Sequence, residues 1–312
     1  MALHTETPYL RLASDIGAGR ELWAKIESMQ PAGSFKLRGI GLLCEEEVAR
    51  GARRLVSSSG GNAGYATAWA GRALGAPVTV VVPESTADDV RAKIAALGAE
   101  VLVRGAIWDI AHAEAQRIAR QTGGALIHPF DHPTLWRGHA TMIEEIARQG
   151  PKPDAVVVAV GGGGLMVGVI EGLGRVGWSD VPVAAAETEG AASLAAAIAA
   201  GHTVTLDRID TIALTLGAPR VAEAALAACR THVVRSITVS DAEAVRACLR
   251  FAEETRVLVE PACGAALASV YGNAPALADA RRIAVIACGG IGVSLDKLRD
   301  WADRFGLAKP PS

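Results

Sequence analysis

The chain has 312 residues, half of them hydrophobic, enough to bury a sizeable core and to form two domains. Its 31 basic and 33 acidic residues give a formal charge of −2 with no basic run, so there is no electrostatic footprint for nucleic acid or an anionic membrane, and the expected partner is a small molecule. Five cysteines, Cys44, Cys229, Cys248, Cys263 and Cys288, are odd in number and lack metal-ligand spacing, which argues against a disulfide framework and for reduced thiols in a cytoplasmic protein.

Along the chain, the polar start MALHTETPY does not resemble a secretory signal, and neither terminus is long and apolar enough to span a bilayer. Gly33 to Gly39, GSFKLRG, places Lys36 beside an aromatic residue just ahead of a helix-like run. An ammonium that is desolvated loses its proton and becomes an amine able to condense with an aldehyde. Alone, the same lysine reads as a solvated charge. Ser57 to Gly64, SSSGGNAG, closes a strand-like run and opens an alanine-rich helix; alone it reads as a turn and cap. The apolar run Val78 to Val82 is a further strand. His128, Asp131, His132 and His139 crowd together, but Pro129 and Pro133 break helical spacing and no cysteine joins them, so a structural loop is expected rather than a metal site.

Ala155 to Val160 then feeds Gly161, Gly162, Gly163, Gly164 and Leu165. Consecutive glycines between a strand and a helix leave N–H groups bare at the positive end of a helix dipole, which suits a phosphate. A dinucleotide fingerprint is the rival, with Glu187 at the end of the next strand, Val181 to Ala186, as its acid. No G-x-G-x-x-G can be written, because its last position falls on Met166 or Val167. Ser240 with Glu243 three residues on is a helix start. Ile283 to Ala287 ends in Cys288-Gly289-Gly290, where ligands meet open parallel sheets. Alternating strand and helix signals predict an α/β fold of parallel sheets covered by helices.

Taken in order, GSFKLRG, SSSGGNAG, HPFDHPTLWRGHAT, VGGGGL, ETEGAAS, VEPACGAALA and ACGGIGVSL resemble the pyridoxal-phosphate serine and threonine dehydratases of the tryptophan synthase β fold type, fold type II. The likeness is greatest to the short serine dehydratases and their dehydratase-like relatives, which carry a cysteine where Cys288 stands. The resemblance implies two open, twisted, mostly parallel sheets, a small domain of residues 30–131 inserted into a large domain of residues 1–29 and 132–312, pyridoxal phosphate between them, and a homodimer. Lys36 would hold the cofactor aldehyde and then remove the substrate α-proton. Phe35 would stack on the ring, or serve as core. Ser59, with Gly60, Gly61, Asn62 and Ala63, would bind the substrate carboxylate, and Asn62 the ring hydroxyl. Gly161 to Gly164 and Leu165 would cup the phosphate, which would assist departure of the leaving hydroxyl. Cys288 would face the pyridine nitrogen as a neutral thiol, favouring elimination over racemisation. Glu187, Ala191, Ser193, Leu216 and Ala218 would ligate a monovalent cation, potassium.

The implied reaction is β-elimination of L-serine and L-threonine to 2-oxo acid and ammonia. Its rivals are a bulkier β-hydroxy amino acid, racemisation or β-replacement on the same scaffold, and, outside it, a catalytically silent ligand-binding relative. Ile291 and Gly292 depart from the polar pair that the closest dehydratases carry after Cys-Gly-Gly, which puts a hydrogen bond from there in doubt. With so little sequence after Phe305, the regulatory domain of biosynthetic threonine deaminases is not expected.

Overall fold

The computed structural model describes residues 2–17 and 19–307; Met1 and residues 308–312, the ends of the expected large domain, lie outside the described residues. The strands are β1 (Tyr9–Arg11), β2 (Glu21–Ile26), β3 (Leu55–Ser57), β4 (Val78–Val82), β5 (Glu100–Val103), β6 (Ala125–Ile127), β7 (Ala155–Ala159), β8 (Val183–Thr188), β9 (Val234–Val239) and β10 (Arg282–Ala287). The helices are α1 (Lys36–Ala49), α2 (Asn62–Leu74), α3 (Asp88–Ala95), α4 (Trp108–Thr122), α5 (Pro133–Gln149), α6 (Gly164–Arg175), α7 (Ser193–Ala200), α8 (Glu223–Thr231), α9 (Asp241–Thr255), α10 (Pro261–Tyr271) and α11 (Leu295–Arg304). They build two sheets, ordered β1-β2-β10-β7-β8-β9 and β5-β4-β3-β6. Every pairing is parallel except that of β1 with β2, as a mostly parallel α/β fold requires.

Continuous apolar runs mark the strands buried on both faces: β4, β7 and β8 are buried at every position. β8 begins two residues later than the run Val181 to Ala186, because Pro182 has no N–H to give to a ladder. The strand runs on through Glu187 to Thr188, so Glu187 stands near its end as expected. Ser240 and Glu243 form the expected capping box of α9.

Three of the four crowded polar residues share one loop and its junction with α5. His128 Nδ1 accepts the N–H groups of Phe130 and Asp131, and His132 Nδ1 accepts that of Thr134 as the cap of α5. The loop expectation fails for His139, which sits inside α5: Pro133 occupies the first turn of that helix and starts it instead of breaking it. Among the described residues no group of three or more His, Cys, Asp or Glu could hold a metal ion.

Two features tie α1 to the rest. At Gly39 and Gly138 the backbones of α1 and α5 approach so closely that neither position has room for a β-carbon. Beside this crossing, Arg38 reaches Glu27 through Nε at 2.7 Å and Nη2 at 2.8 Å, and Glu145 through Nη1 at 2.7 Å and Nη2 at 2.6 Å. Lys25 donates to Glu145 at 2.5 Å and to the Thr7 carbonyl at 2.6 Å. All four charged groups are buried. Burial works against the Arg38 charge, and the two carboxylates overcome it, pushing its pKa above the usual arginine value.

Candidate active site

The carboxyl ends of β3, β7 and β10 lead directly into the SSSGG, GGGG and CGG loops. Main-chain bonds join segments far apart in sequence: Phe35 N–H donates to Cys288 O at 3.1 Å, and Gly290 N–H donates to Gly33 O at 3.0 Å. Lys36, the first residue of α1, is thereby fixed at the end of β10. Its Nζ donates to the Pro129 carbonyl at 2.6 Å. Burial lowers its pKa to about 8, with the carboxylate of Glu260 pulling the other way. The solvated-charge reading therefore gives way to a partly buried, readily deprotonated amine. His128 nearby is pushed down to about 4, first by burial and then by His112 and Lys36, so its imidazole is neutral. Phe35 is 9% exposed and meets His139 edge-on with centroids 4.9 Å apart, so most of its ring surface is spent on packing.

Gly163 has φ +90°, a left-handed conformation that suits glycine, and precedes α6 without a side-chain cap. None of the N–H groups from Gly161 to Leu165 donates to a protein acceptor outside the helix among the described residues. Phe130 fills the space beside Gly162 and Gly164, and a β-carbon on Gly161 would lie 3.0 Å from the Leu216 backbone. The result is a cup of bare donors at a helix N-terminus, which fits a phosphate.

In the neighbouring loop Ser59, Gly60 and Gly61 are partly exposed, whereas Asn62 and Ala63 are buried. Gly61 N–H donates to Ser59 Oγ at 3.3 Å, leaving the hydroxyl hydrogen for an outside acceptor. Asn62 Nδ2 donates to Glu260 Oε1 at 2.6 Å, and Ile291 N–H donates to Asn62 Oδ1 at 2.9 Å. Ile291 thus contributes through its main chain, while its side chain offers no hydrogen bond. Thr215 Oγ1 donates to the same Glu260 oxygen at 2.7 Å. Burial raises Glu260 to about 7, against the opposing bonds from Thr215 and Asn62.

Cys288 is buried; a hydrogen bond with Cys263 and the loss of water push its thiol well above the usual range, so it is neutral. Glu187 accepts Leu194 and Ala195 N–H at 2.8 Å each, capping α7, and burial raises it to about 7. Ser193 Oγ beside it is buried without a partner among the described residues. The loop carrying Leu216 and Ala218 folds toward this turn through Asp210 N–H to Gly190 O at 2.9 Å, and Ala191 is buried. Glu187 itself is hydrogen-bonded to α7 rather than to that loop.

Sequence reasoning missed Glu260, Thr215, Cys263, Phe130 and the Pro129 carbonyl as parts of this arrangement. The signal for Glu260 was present: an acid directly before a proline in a long apolar stretch is a helix start whose carboxylate must be buried with partners.

Residues 2–289 match the family described as pyridoxal-phosphate dependent enzyme. A serine dehydratase-like protein of Mus musculus is 45% identical, covering 98% of this chain and 96% of the relative. An L-serine dehydratase/L-threonine deaminase of Mus musculus is 43% identical, covering 98% and 97%. A solved fungal L-serine ammonia-lyase from Rhizomucor miehei matches with a TM-score of 0.90 at 34% identity, covering 98% of this chain and 100% of the other. The cup of bare N–H groups, the low-pKa amine and the neutral thiol all fit that cofactor, and the two sheets are those of fold type II. With a match that runs almost from end to end, the chain belongs to the pyridoxal-phosphate dependent enzyme family.

Proposed function

We propose that this protein is an L-serine and L-threonine ammonia-lyase, releasing pyruvate or 2-oxobutanoate together with ammonia. The observation that carries the reading is Lys36, an amine depressed to about 8 and fixed between the Pro129 carbonyl and the end of β10. When bound, pyridoxal phosphate supplies an electron sink for the pair left at the substrate α-carbon. Lys36 Nζ takes the α-proton as general base. Ser59 Oγ, already holding Gly61 N–H, directs its own hydrogen to the substrate carboxylate, with Gly60, Gly61 and Ala63 lining the same loop. Gly161 to Gly164 and Leu165 hold the phosphate through main-chain N–H groups. Phe35 borders the ring while packed on His139. Cys288, kept neutral by Cys263 and burial, would offer no charge to the ring nitrogen of a bound cofactor, a setting that would favour elimination over racemisation. Residues 30–131 would form the small domain, which the self-contained second sheet supports. The resemblance and the free thiols support a cytoplasmic homodimer.

The purified protein, supplemented with pyridoxal phosphate, is expected to release ammonia and a 2-oxo acid from L-serine and L-threonine in stoichiometric amounts. A panel that includes bulkier β-hydroxy amino acids, with chiral analysis of recovered substrate, separates the rivals. Faster turnover of a bulkier substrate, or D-serine as the main product, would replace this reading.

The same proposal includes a monovalent cation, potassium, held by Glu187, Ser193 and carbonyls of Ala191, Leu216 and Ala218. The unpartnered, buried Ser193 hydroxyl supports it, and one carboxylate among neutral oxygens suits a singly charged ion. Replacing potassium by lithium in metal-stripped protein is expected to lower kcat several-fold, and Glu187→Gln to remove the dependence. Activity indifferent to the ion would leave Glu187 as the cap of α7.

A further inference from the structure

Three segments converge on one buried carboxylate. Glu260 is 4% exposed and stands immediately before α10. One of its oxygens accepts Asn62 Nδ2 and Thr215 Oγ1, from the SSSGG loop and the segment before Leu216. The other faces the loop after β10: Gly292 N–H bonds to the carboxylate, and a β-carbon on Gly290, at φ +141°, would run into it. The glycines of that loop thus make room for the carboxylate. The same loop sends Ile291 N–H to the oxygen of Asn62, while Lys93 holds the Ile291 carbonyl at 2.7 Å.

The consequence is for Asn62, whose amide has two donors on one side and an acceptor on the other. A main-chain N–H must meet its oxygen and a carboxylate must meet its nitrogen, so the reversed amide would set donor against donor and oxygen against oxygen. We infer that Glu260 is a positioning residue that, with Ile291, locks the Asn62 amide so that its second N–H is the donor left for the cofactor's ring hydroxyl. Glu260 is thereby coupled to the electronics of the cofactor without touching the reacting atoms. The inference rests on the pyridoxal-phosphate reading of the site. Its test uses no substrate, so failure of the lyase assignment would not disturb it.

Glutamine in place of Glu260 keeps the volume but cannot serve both sides: its NH2 must face either Asn62 and Thr215 or Gly292 N–H. The measurement is the intensity ratio of the near-ultraviolet and visible absorbance bands of the holoenzyme, which reports the protonation and tautomer of the ring hydroxyl. Glu260→Gln is expected to move that ratio in the direction of Asn62→Ala and by at least half as much. The double variant is expected to match Asn62→Ala alone, because the two residues act as one unit. A ratio unchanged in Glu260→Gln, or shifts that add in the double variant, would overturn the inference. Should Glu260→Gln fail to fold, Glu260→Asp keeps the buried charge and withdraws it from Asn62 by one methylene. It is expected to shift the ratio the same way, and an unshifted ratio would likewise overturn the inference.

Discussion

Lys36→Ala is expected to reduce turnover of L-serine by about 10³-fold or more, because one amine serves both as the covalent anchor and as the base. The variant should still bind pyridoxal phosphate through the glycine cup, since Gly161 to Leu165 owe nothing to the lysine side chain. Borohydride treatment of the parent holoenzyme is expected to fix the cofactor on Lys36, located by peptide mass mapping. A label on another lysine would remove Lys36 from its role. The environment gives a pH signature as well. Lys36 is lowered from 10.5 to about 8; at neutral pH about a tenth of such amines are unprotonated, against roughly one in 3,000 for an ordinary lysine. In cofactor-free protein, the rate at which Lys36 reacts with an amine-directed reagent should therefore rise with pH and level off above about 8. A rate still rising steeply at pH 10 would mean that the amine is solvated.

Removing Arg38 has the largest expected effect on stability. Arg38→Met leaves Glu27 and Glu145 buried with only Lys25 between them, and stranding a buried charge costs about 3–5 kcal/mol. Against a total of about 5–15 kcal/mol for a folded protein, that is a large share. Denaturant unfolding of Arg38→Met should show it as a lowered midpoint. Arg38→Lys, which retains the charge but not the fork that spans both carboxylates, should lie between. A methionine variant as stable as the parent would mean that burial of the four charges is offset by nothing more than their mutual attraction. Because Arg38 lies two residues beyond Lys36 on α1, the Arg38→Met protein should lose activity at temperatures below its own unfolding.

Much of the scaffold was legible because the relevant physics is local. A run such as Val78 to Val82 can be buried on both faces only as an inner strand, and Gly161 to Gly164 can do little but turn. Lys36 drew notice through the aromatic residue beside it at the start of a helix-like run, and Ser59 through the glycines that follow it. The boundary of β8 was misplaced because a run of apolar letters hides the missing N–H of Pro182. His139 was assigned to a loop because Pro133 was read as a break, and only the cap supplied by His132 shows it to be a beginning. The burial of Glu260 was legible from the proline that follows it, but its partners, like those of Thr215 and the Pro129 carbonyl, were out of reach for a different reason. Each acts on a partner dozens to hundreds of residues away, and no spacing along the chain encodes a meeting that the sheets create.

The pairing of β2 with β10 has a consequence for how the protein is made. Strands β3 to β6 fall within one continuous stretch, so the second sheet can close on neighbours soon after synthesis. β10, which lies between β2 and β7 in the first sheet, is the last strand to appear, and Glu21 waits for Arg282. Contacts so distant are slow to form. Lys36 is in the same position, since the turn before it is bonded to Cys288 and Gly289. A chain can therefore carry its second sheet and still lack the bonds from Cys288 and Gly289 that fix the partly buried amine of Lys36 in place.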